Sequence, residues 1–266
     1  MKNELLMKKK VKAVILAGGL GTRLSEETII KPKPMVEIGG KPILWHIMKI
    51  FSTYGVNDFI ICCGYKAGFI KNYFRNLQVE QSDFSVNLSN GKLTFHTSDV
   101  EDWNVTLVDT GYNTMTGGRL RRVESYLSDN DDFFFTYGDG VADIDIADLY
   151  RFHTKHGKAA TVTGVRPPAR FGMLKLEKDK VVEFSEKPIA GDDFINGGFF
   201  VLNKDIFDEL SADSDIWEKE PLQSLACRGE LMCYKHDGFW QPMDTLREKQ
   251  ELDMLVSSGE APWVKW

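Results

Sequence analysis

Ala13-Val14-Ile15-Leu16-Ala17-Gly18-Gly19-Leu20-Gly21-Thr22-Arg23-Leu24 is the stretch that decides how this chain is read. Its apolar start predicts a buried strand, and a glycine-rich turn follows without a break. Main-chain N–H groups in such a turn approach phosphate oxygens closely, because no Cβ stands in the way. Arg23 closes the turn, and Lys33 follows in Lys31-Pro32-Lys33-Pro34. Strand, glycine turn, Arg and Lys describe a cradle for polyphosphate, in which the two cations offset charge on a transferring phosphoryl group.

Two common phosphate loops do not fit. A dinucleotide fingerprint aligned on Gly19 and Gly21 needs glycine where Leu24 stands. A P-loop needs Ser or Thr after Gly40-Lys41, and it also needs glycine at Met35; Pro42 follows instead. The first failure disfavours a dinucleotide-dependent oxidoreductase.

Outward from the loop, short apolar runs alternate with helical patterns. Lys12–Leu16, Asp58–Cys63, Phe133–Tyr137 and Ala159–Val165 read as strands. Ile43–Tyr54, Gly68–Asn76, Gly118–Leu127 and Ile146–His156 read as helices. That alternation predicts an α/β fold, a Rossmann-like, mainly parallel sheet flanked by helices. Val79–Thr110, with Asn90-Gly91 inside it, predicts an inserted antiparallel hairpin. Residues 173–203 read as short strands, and helices resume at 204–211, 217–228 and 246–258. The expected organisation is a flexible extension over residues 1–10 and one domain over 11–266 with a β-rich C-terminal portion.

Bulk properties narrow the function classes. The 266 residues are 42% hydrophobic and 27% charged, as in ordinary globular proteins. A net charge of −6 disfavours nucleic acid or an anionic membrane as partner, so an anionic ligand needs a local basic cluster. No apolar run reaches the ~20 residues of a membrane helix, and the basic start lacks a signal-peptide core. Cys62, Cys63, Cys227 and Cys233 have no metal-binding spacing. Cys62 and Cys63 read as reduced packing residues, which suggests the cytoplasm.

Asp139 follows the run Phe133–Tyr137 in Tyr137-Gly138-Asp139-Gly140. The carboxyl ends of parallel strands are where ligands bind, and a carboxylate there suits a hard cation such as Mg²⁺. A plain Asp-Gly turn remains open on the residues alone. Asp244, followed by Thr245 before the last helical pattern, reads equally as a helix cap.

Leu16 to Leu24, then Pro32-Lys33-Pro34, then Gly40-Lys41-Pro42, resembles the signature of the sugar-phosphate nucleotidyltransferases. The resemblance covers Lys12 to about Trp266. It implies the nucleotidyltransferase fold, with Lys33, Arg23 and Asp139 as catalytic groups and Asp139 and Asp244 as ligands of Mg²⁺. It implies a nucleotide site at Leu16, Ala17, Gly18, Gly19, Leu20, Gly21, Thr22, Arg23 and Gly138. It implies a sugar-phosphate site at Lys33, Gly172, Glu186, Lys187, Asn196 and Gly197, from Arg170-Phe171-Gly172, Phe184-Ser185-Glu186-Lys187-Pro188 and Asn196-Gly197-Gly198.

Some segments are more particular: Ser25–Thr28, Trp103–Thr106, Asp109-Thr110-Gly111, Met115–Leu120 and Gly238–Thr245. They resemble the family members that use CTP and α-D-glucose 1-phosphate. Those members make CDP-glucose for CDP-linked dideoxysugars of bacterial surface polysaccharide, and a homo-oligomer is expected. Cytosine presents the acceptors O2 and N3, and an arginine is a pure donor, so Arg119 is the candidate reader, with Thr114 and Thr116 nearby. A solvated helix face is the plainer reading of Arg119, since Arg121 and Arg122 crowd the same turn. Uridylyl or thymidylyl transfer, and a non-catalytic sugar-nucleotide-binding homologue, stay open at this point.

Overall fold

The computed structural model describes residues 10–97, 100–166, 173–177, 180–185 and 194–266, with backbone alone for residues 23, 25, 26, 173–177 and 183–185. The expected extension over residues 1–10 lies, apart from Lys10, outside the described residues.

Among the described residues seven strands form the central sheet: β1 (Ala13–Ala17), β2 (Asp58–Cys63), β3 (Asn104–Asp109), β4 (Asp132–Tyr137), β5 (Ala160–Val165), β6 (Ile195–Asn203) and β7 (Leu231–His236). Their order across the sheet is β3-β2-β1-β4-β6-β5-β7. β1 pairs in parallel with both β2 and β4, and β2 in parallel with β3. Only β6 runs against its neighbours β4 and β5. The sheet is thus mainly parallel, as the alternation of strand and helix predicts.

β1 explains why its sequence reads as uninterrupted apolar residues. Ala13, Ile15 and Ala17 point into one core and Val14 and Leu16 into the other, all buried. Successive strand residues face opposite sides, so a strand covered on both faces has no polar positions. Helices Ile43–Ser52, Ala67–Glu80, Ile146–His156 and Leu246–Ser257 contribute to the first core. Thr116–Arg121, Glu220–Cys227 and the 3₁₀ segment Lys204–Glu209 contribute to the second. Phe133, Phe135, Phe200 and Trp217 fill that second core, with Trp217 edge-on to both Phe135 and Phe200. Full burial of a large apolar side chain contributes about 1.5–3 kcal/mol.

The expected hairpin is shorter than 79–110. Val79 and Glu80 end a helix, and the hairpin is Phe84–Asn87 paired with Lys92–Phe95. Asn104–Asp109 is instead the edge strand of the central sheet, half-covered on its faces. Its alternating pattern comes from partial cover at an edge, which sequence alone does not separate from a solvated ribbon. In the β-rich C-terminal portion, β6 and β7 extend the same sheet. Met173–Glu177 and Lys180–Ser185 pair as a ribbon of their own.

The strand order carries the functional consequence. From β1 the chain moves to β2 and β3 on one side, then returns to β4 on the other. The carboxyl ends of β1 and β4 therefore diverge at a topological switch point, where open α/β sheets form their ligand crevice.

Candidate active site

A cavity of about 540 Å³ opens at that switch point. Its walls are Leu16 to Thr22 from the glycine turn, Lys33 and Pro34, the loop Tyr112–Thr116 with Arg119, and Tyr137, Gly138 and Asp139. The volume suits a nucleotide-sized ligand.

Local sequence explains the glycine turn. Gly21 has φ +64°, and a Cβ there would press on Thr28 and on Lys33 Cβ. Thr28 closes the turn by donating to Gly21 O (3.1 Å) and Leu24 O (2.8 Å). A Cβ on Gly138 would meet Leu16 O and Pro34, so this glycine lets β1, β4 and the Pro-Lys-Pro element converge.

Lys33 opens a 3₁₀ turn held between Pro32 and Pro34, with Met35 and Val36 buried behind it. The prolines fix the backbone, so the lysine stem is aimed rather than free. Its Nζ lies 2.6 Å from Asp139 Oδ2 and 2.5 Å from Asp244 Oδ1. These two aspartates are remote in sequence, and a short ribbon joins them. Gly140–Ala142 pairs antiparallel with Trp240–Pro242, and Met243 N donates to Asp139 O at 2.8 Å. Asp244 is not the cap of the last helix. Thr245 fills that position in a capping box with Glu248, which leaves the Asp244 carboxylate to Lys33.

Arg119 is buried, which excludes the solvated-face reading. Its Nη1 donates to Thr110 Oγ1 (2.8 Å), Gly111 O (2.7 Å) and Cys63 O (3.4 Å). Nη2 donates to Gly18 O (3.0 Å) and Tyr112 O (3.3 Å). The guanidinium fills the volume that the missing Cβ atoms of Gly18 and Gly64 leave open. Burial pulls its pKa below the ordinary arginine value. Arg119 thus ties the glycine turn to the loop after β3, and a base contact from either nitrogen means sharing or trading one of these bonds. Thr114 is buried on the cavity wall and Thr116 begins the short helix beside it.

A second, smaller cavity of about 40 Å³ adjoins the first, sharing Tyr137 and Asp139 with it. Asn196, Gly197 and Trp240 line it, and Trp240 Nε1 donates to Gly197 O at 2.7 Å. Gly172, Glu186 and Lys187, expected in the sugar-phosphate site, lie outside the described residues, as does the side chain of Arg23. Tyr137 lines both cavities, a role that no motif in the sequence marks. Its position directly before Gly138-Asp139 is the one signal for it. Cys62 and Cys63 are free and buried on β2, and burial pushes the Cys63 thiol up to about 11. No helix among the described residues is long and apolar enough to cross a membrane.

The family described as nucleotidyl transferase matches residues 12–241. This chain belongs to the nucleotidyl transferase family. Among its members, the glucose-1-phosphate cytidylyltransferase of Salmonella typhi is 58% identical over 256 residues, covering 96% of this chain and all of the relative. A probable glucose-1-phosphate cytidylyltransferase of Bacillus subtilis is 44% identical over 257 residues, covering 96% of this chain and 100% of the relative. The crystal structure of a putative glucose-1-phosphate thymidylyltransferase from Bacillus anthracis superimposes with a TM-score of 0.69. That match covers 96% of this chain and 97% of the other at 20% identity, a likeness of nucleotidyltransferase fold.

Proposed function

We propose that this nucleotidyl transferase moves a cytidylyl group from CTP to α-D-glucose 1-phosphate, giving CDP-glucose and pyrophosphate. The observation that carries the reading is the convergence of Lys33, Asp139 and Asp244 beside the glycine turn. Full-length similarity to cytidylyltransferases supports the choice of base and sugar.

A phosphate oxygen of the sugar phosphate attacks the α-phosphorus of CTP as the bond to the β-phosphate oxygen breaks, and pyrophosphate leaves with that electron pair. The attacking oxygen is already ionised near neutral pH, so positioning and charge stabilisation do the work. Lys33 draws the attacking phosphate and the α-phosphate together. Glycine-turn amides and Arg23 stabilise the departing pyrophosphate. Asn196, with Glu186 and Lys187, grips the sugar phosphate.

Asp139 and Asp244 suit Mg²⁺. Both carboxylates already converge on a single cation, the Lys33 ammonium. Among the described residues no group of three or more His, Cys, Asp or Glu comes together. One or two carboxylates with substrate phosphates and water is the set Mg²⁺ usually takes. When bound, the ion supplies charge neutralisation to phosphate oxygens.

A homo-oligomer in the cytoplasm completes the reading. The hairpin strands display Phe84, Val86 and Leu93, with Leu88 in the turn, all exposed. An isolated two-stranded hairpin is marginal in water, which favours cover by a second copy. The free cysteines suit a reducing compartment. Pyrophosphate release across CTP, UTP, dTTP and ATP, each with several hexose 1-phosphates, tests the assignment. CTP with glucose 1-phosphate is expected to give the highest catalytic efficiency. Equal efficiency with UTP would overturn the choice of base.

A further inference from the structure

Glu218 lies outside every motif, yet its carboxylate bridges the two cavities. Thr116 Oγ1 donates to Glu218 Oε2 at 2.6 Å, and Tyr137 OH donates to Oε1 at 2.5 Å. Thr116 lines the larger cavity, and Tyr137 lines both. Asn196 Nδ2 in turn donates to the Tyr137 oxygen at 3.2 Å. A chain of hydrogen bonds therefore runs Thr116–Glu218–Tyr137–Asn196.

The direction of every bond in it is fixed from the ends. Gly198 N–H is only a donor, and it lies 2.8 Å from Asn196 Oδ1. That atom must therefore be the oxygen, so the Asn196 NH₂ faces Tyr137. The Tyr137 oxygen accepts from Asn196, and its own proton goes to Glu218. From the other end, Trp217 N–H donates to Thr116 Oγ1 at 2.9 Å, so the Thr116 proton also goes to Glu218. Both Glu218 oxygens accept, as an ionised carboxylate does. The pKa of Tyr137 is raised by burial first and by Glu218 beside it, which keeps its proton in place.

The backbone that delivers Glu218 is itself fitted to the nucleotide loop. Gly117 N and Gly118 N donate to Asp215 O, and Met115 N donates to Asp213 O at 2.8 Å. A Cβ on Gly117 or Gly118 would collide with the backbone of residues 213 and 215. Trp217 is fully buried next to Glu218 and anchors the segment.

We infer that Glu218 is a positioning residue that orients Asn196 on the sugar side and Thr116 on the nucleotide side of the reaction. With Oδ1 bound to Gly198 and one N–H bound to Tyr137, Asn196 presents its remaining N–H and oxygen lone pair in one fixed sense to a sugar hydroxyl. The inference rests on the proposed roles of Asn196 and Thr116. Wild-type pyrophosphate release identifies the substrate pair first. If that pair is not CTP and glucose 1-phosphate, the functional reading fails, and the variants are then measured with the pair found.

Glu218→Gln keeps the shape and adds a donor where two donors already point, leaving one hydroxyl proton without an acceptor. It is expected to raise KM by about three- to tenfold, the worth of one net hydrogen bond, for whichever substrate lies on the side where the amide NH₂ replaces the acceptor. Its melting temperature is expected to stay within about 4 °C of wild type. Tyr137→Phe should raise KM for the sugar phosphate alone, and Thr116→Val KM for the nucleotide alone. Glu218→Gln combined with Tyr137→Phe should be no worse for the sugar phosphate than either single change. Unchanged KM values in Glu218→Gln, or additive effects in the double variant, would overturn the inference. Should Glu218→Gln not fold, the two single-hydroxyl variants decide: separate effects on the two substrates support it, and no effect on either overturns it.

Discussion

Lys33 and Arg119 are both buried cations on the wall of one cavity, and they are held by opposite kinds of partner. Lys33 meets two carboxylates, Asp139 and Asp244. Arg119 meets main-chain carbonyls and one threonine hydroxyl, all neutral. Ionised partners offset the lysine charge, and the same carboxylates suit a divalent cation. Neutral carbonyls give direction instead of charge, and the planar fork of arginine matches their fixed geometry. The difference teaches that burial of a cation does not by itself mark catalysis. On the proposed reading, the partner set separates a charge placed for chemistry from a charge used to lock loops.

Removal of Lys33 gives the largest test of this contrast. Lys33→Ala is expected to lower turnover by at least ~10²–10³, the loss typical of one preorganised charge-stabilising donor. It also leaves two neighbouring carboxylates without their ammonium, so Mg²⁺ should raise its melting temperature more than that of wild type. Pyrophosphate release, and melting with and without Mg²⁺, measure both effects. Near-normal turnover would make Lys33 a brace like Arg119 and erase the distinction.

Changing the partners sharpens it further. Asp139→Asn and Asp244→Asn should each raise the Mg²⁺ concentration for half-maximal activity by at least about tenfold, the loss seen even for outer-shell partners of a metal. Since Thr245 already caps the last helix, Asp244→Asn should not act through helix stability. A Mg²⁺ titration of turnover reads the shift. An unchanged curve for Asp244→Asn would confine that residue to its pair with Lys33.

Arg119→Lys keeps the charge and removes the fork, and its expected effect is the smallest. A lysine cannot reach both Gly18 O and Gly111 O with the geometry of two terminal nitrogens. The CTP-over-UTP ratio of catalytic efficiencies should fall by about tenfold, near the lower end for a hydrogen bond from a charged group. An equal loss for both nucleotides would show that the fork serves the glycine turn and not the base loop.

Much of this arrangement is legible in sequence because full burial leaves a plain signature. β1 and β4 are covered on both faces, so their unbroken apolar runs, and the glycines and Asp139 that follow, place the crevice directly. β3 was hidden because an edge strand is only half covered and alternates like a surface hairpin. The cage around Arg119 was hidden because its partners are backbone atoms, which no side-chain pattern encodes. Beside Arg121 and Arg122, which are exposed, its letter looks the same. Glu218 stands in a loop whose position depends on Gly117-Gly118, three strands of the central sheet earlier in the chain, and nothing local announces it.

The volume shared by Gly18, Gly64 and the Arg119 guanidinium has a consequence for how this chain can change by mutation. A methyl at position 18 or 64 collides with the guanidinium as long as Arg119 is present. Once position 119 carries a short side chain, the methyl at position 18 fills a void and becomes favourable, whereas one at position 64 still meets the Gly18 carbonyl. The sign of one substitution thus depends on another, and the order in which they occur decides whether a lineage survives the step. Every single-step route passes through a chain with either a clash or an empty hole between the glycine turn and the loop after β3. That barrier ties the three positions into one inherited unit.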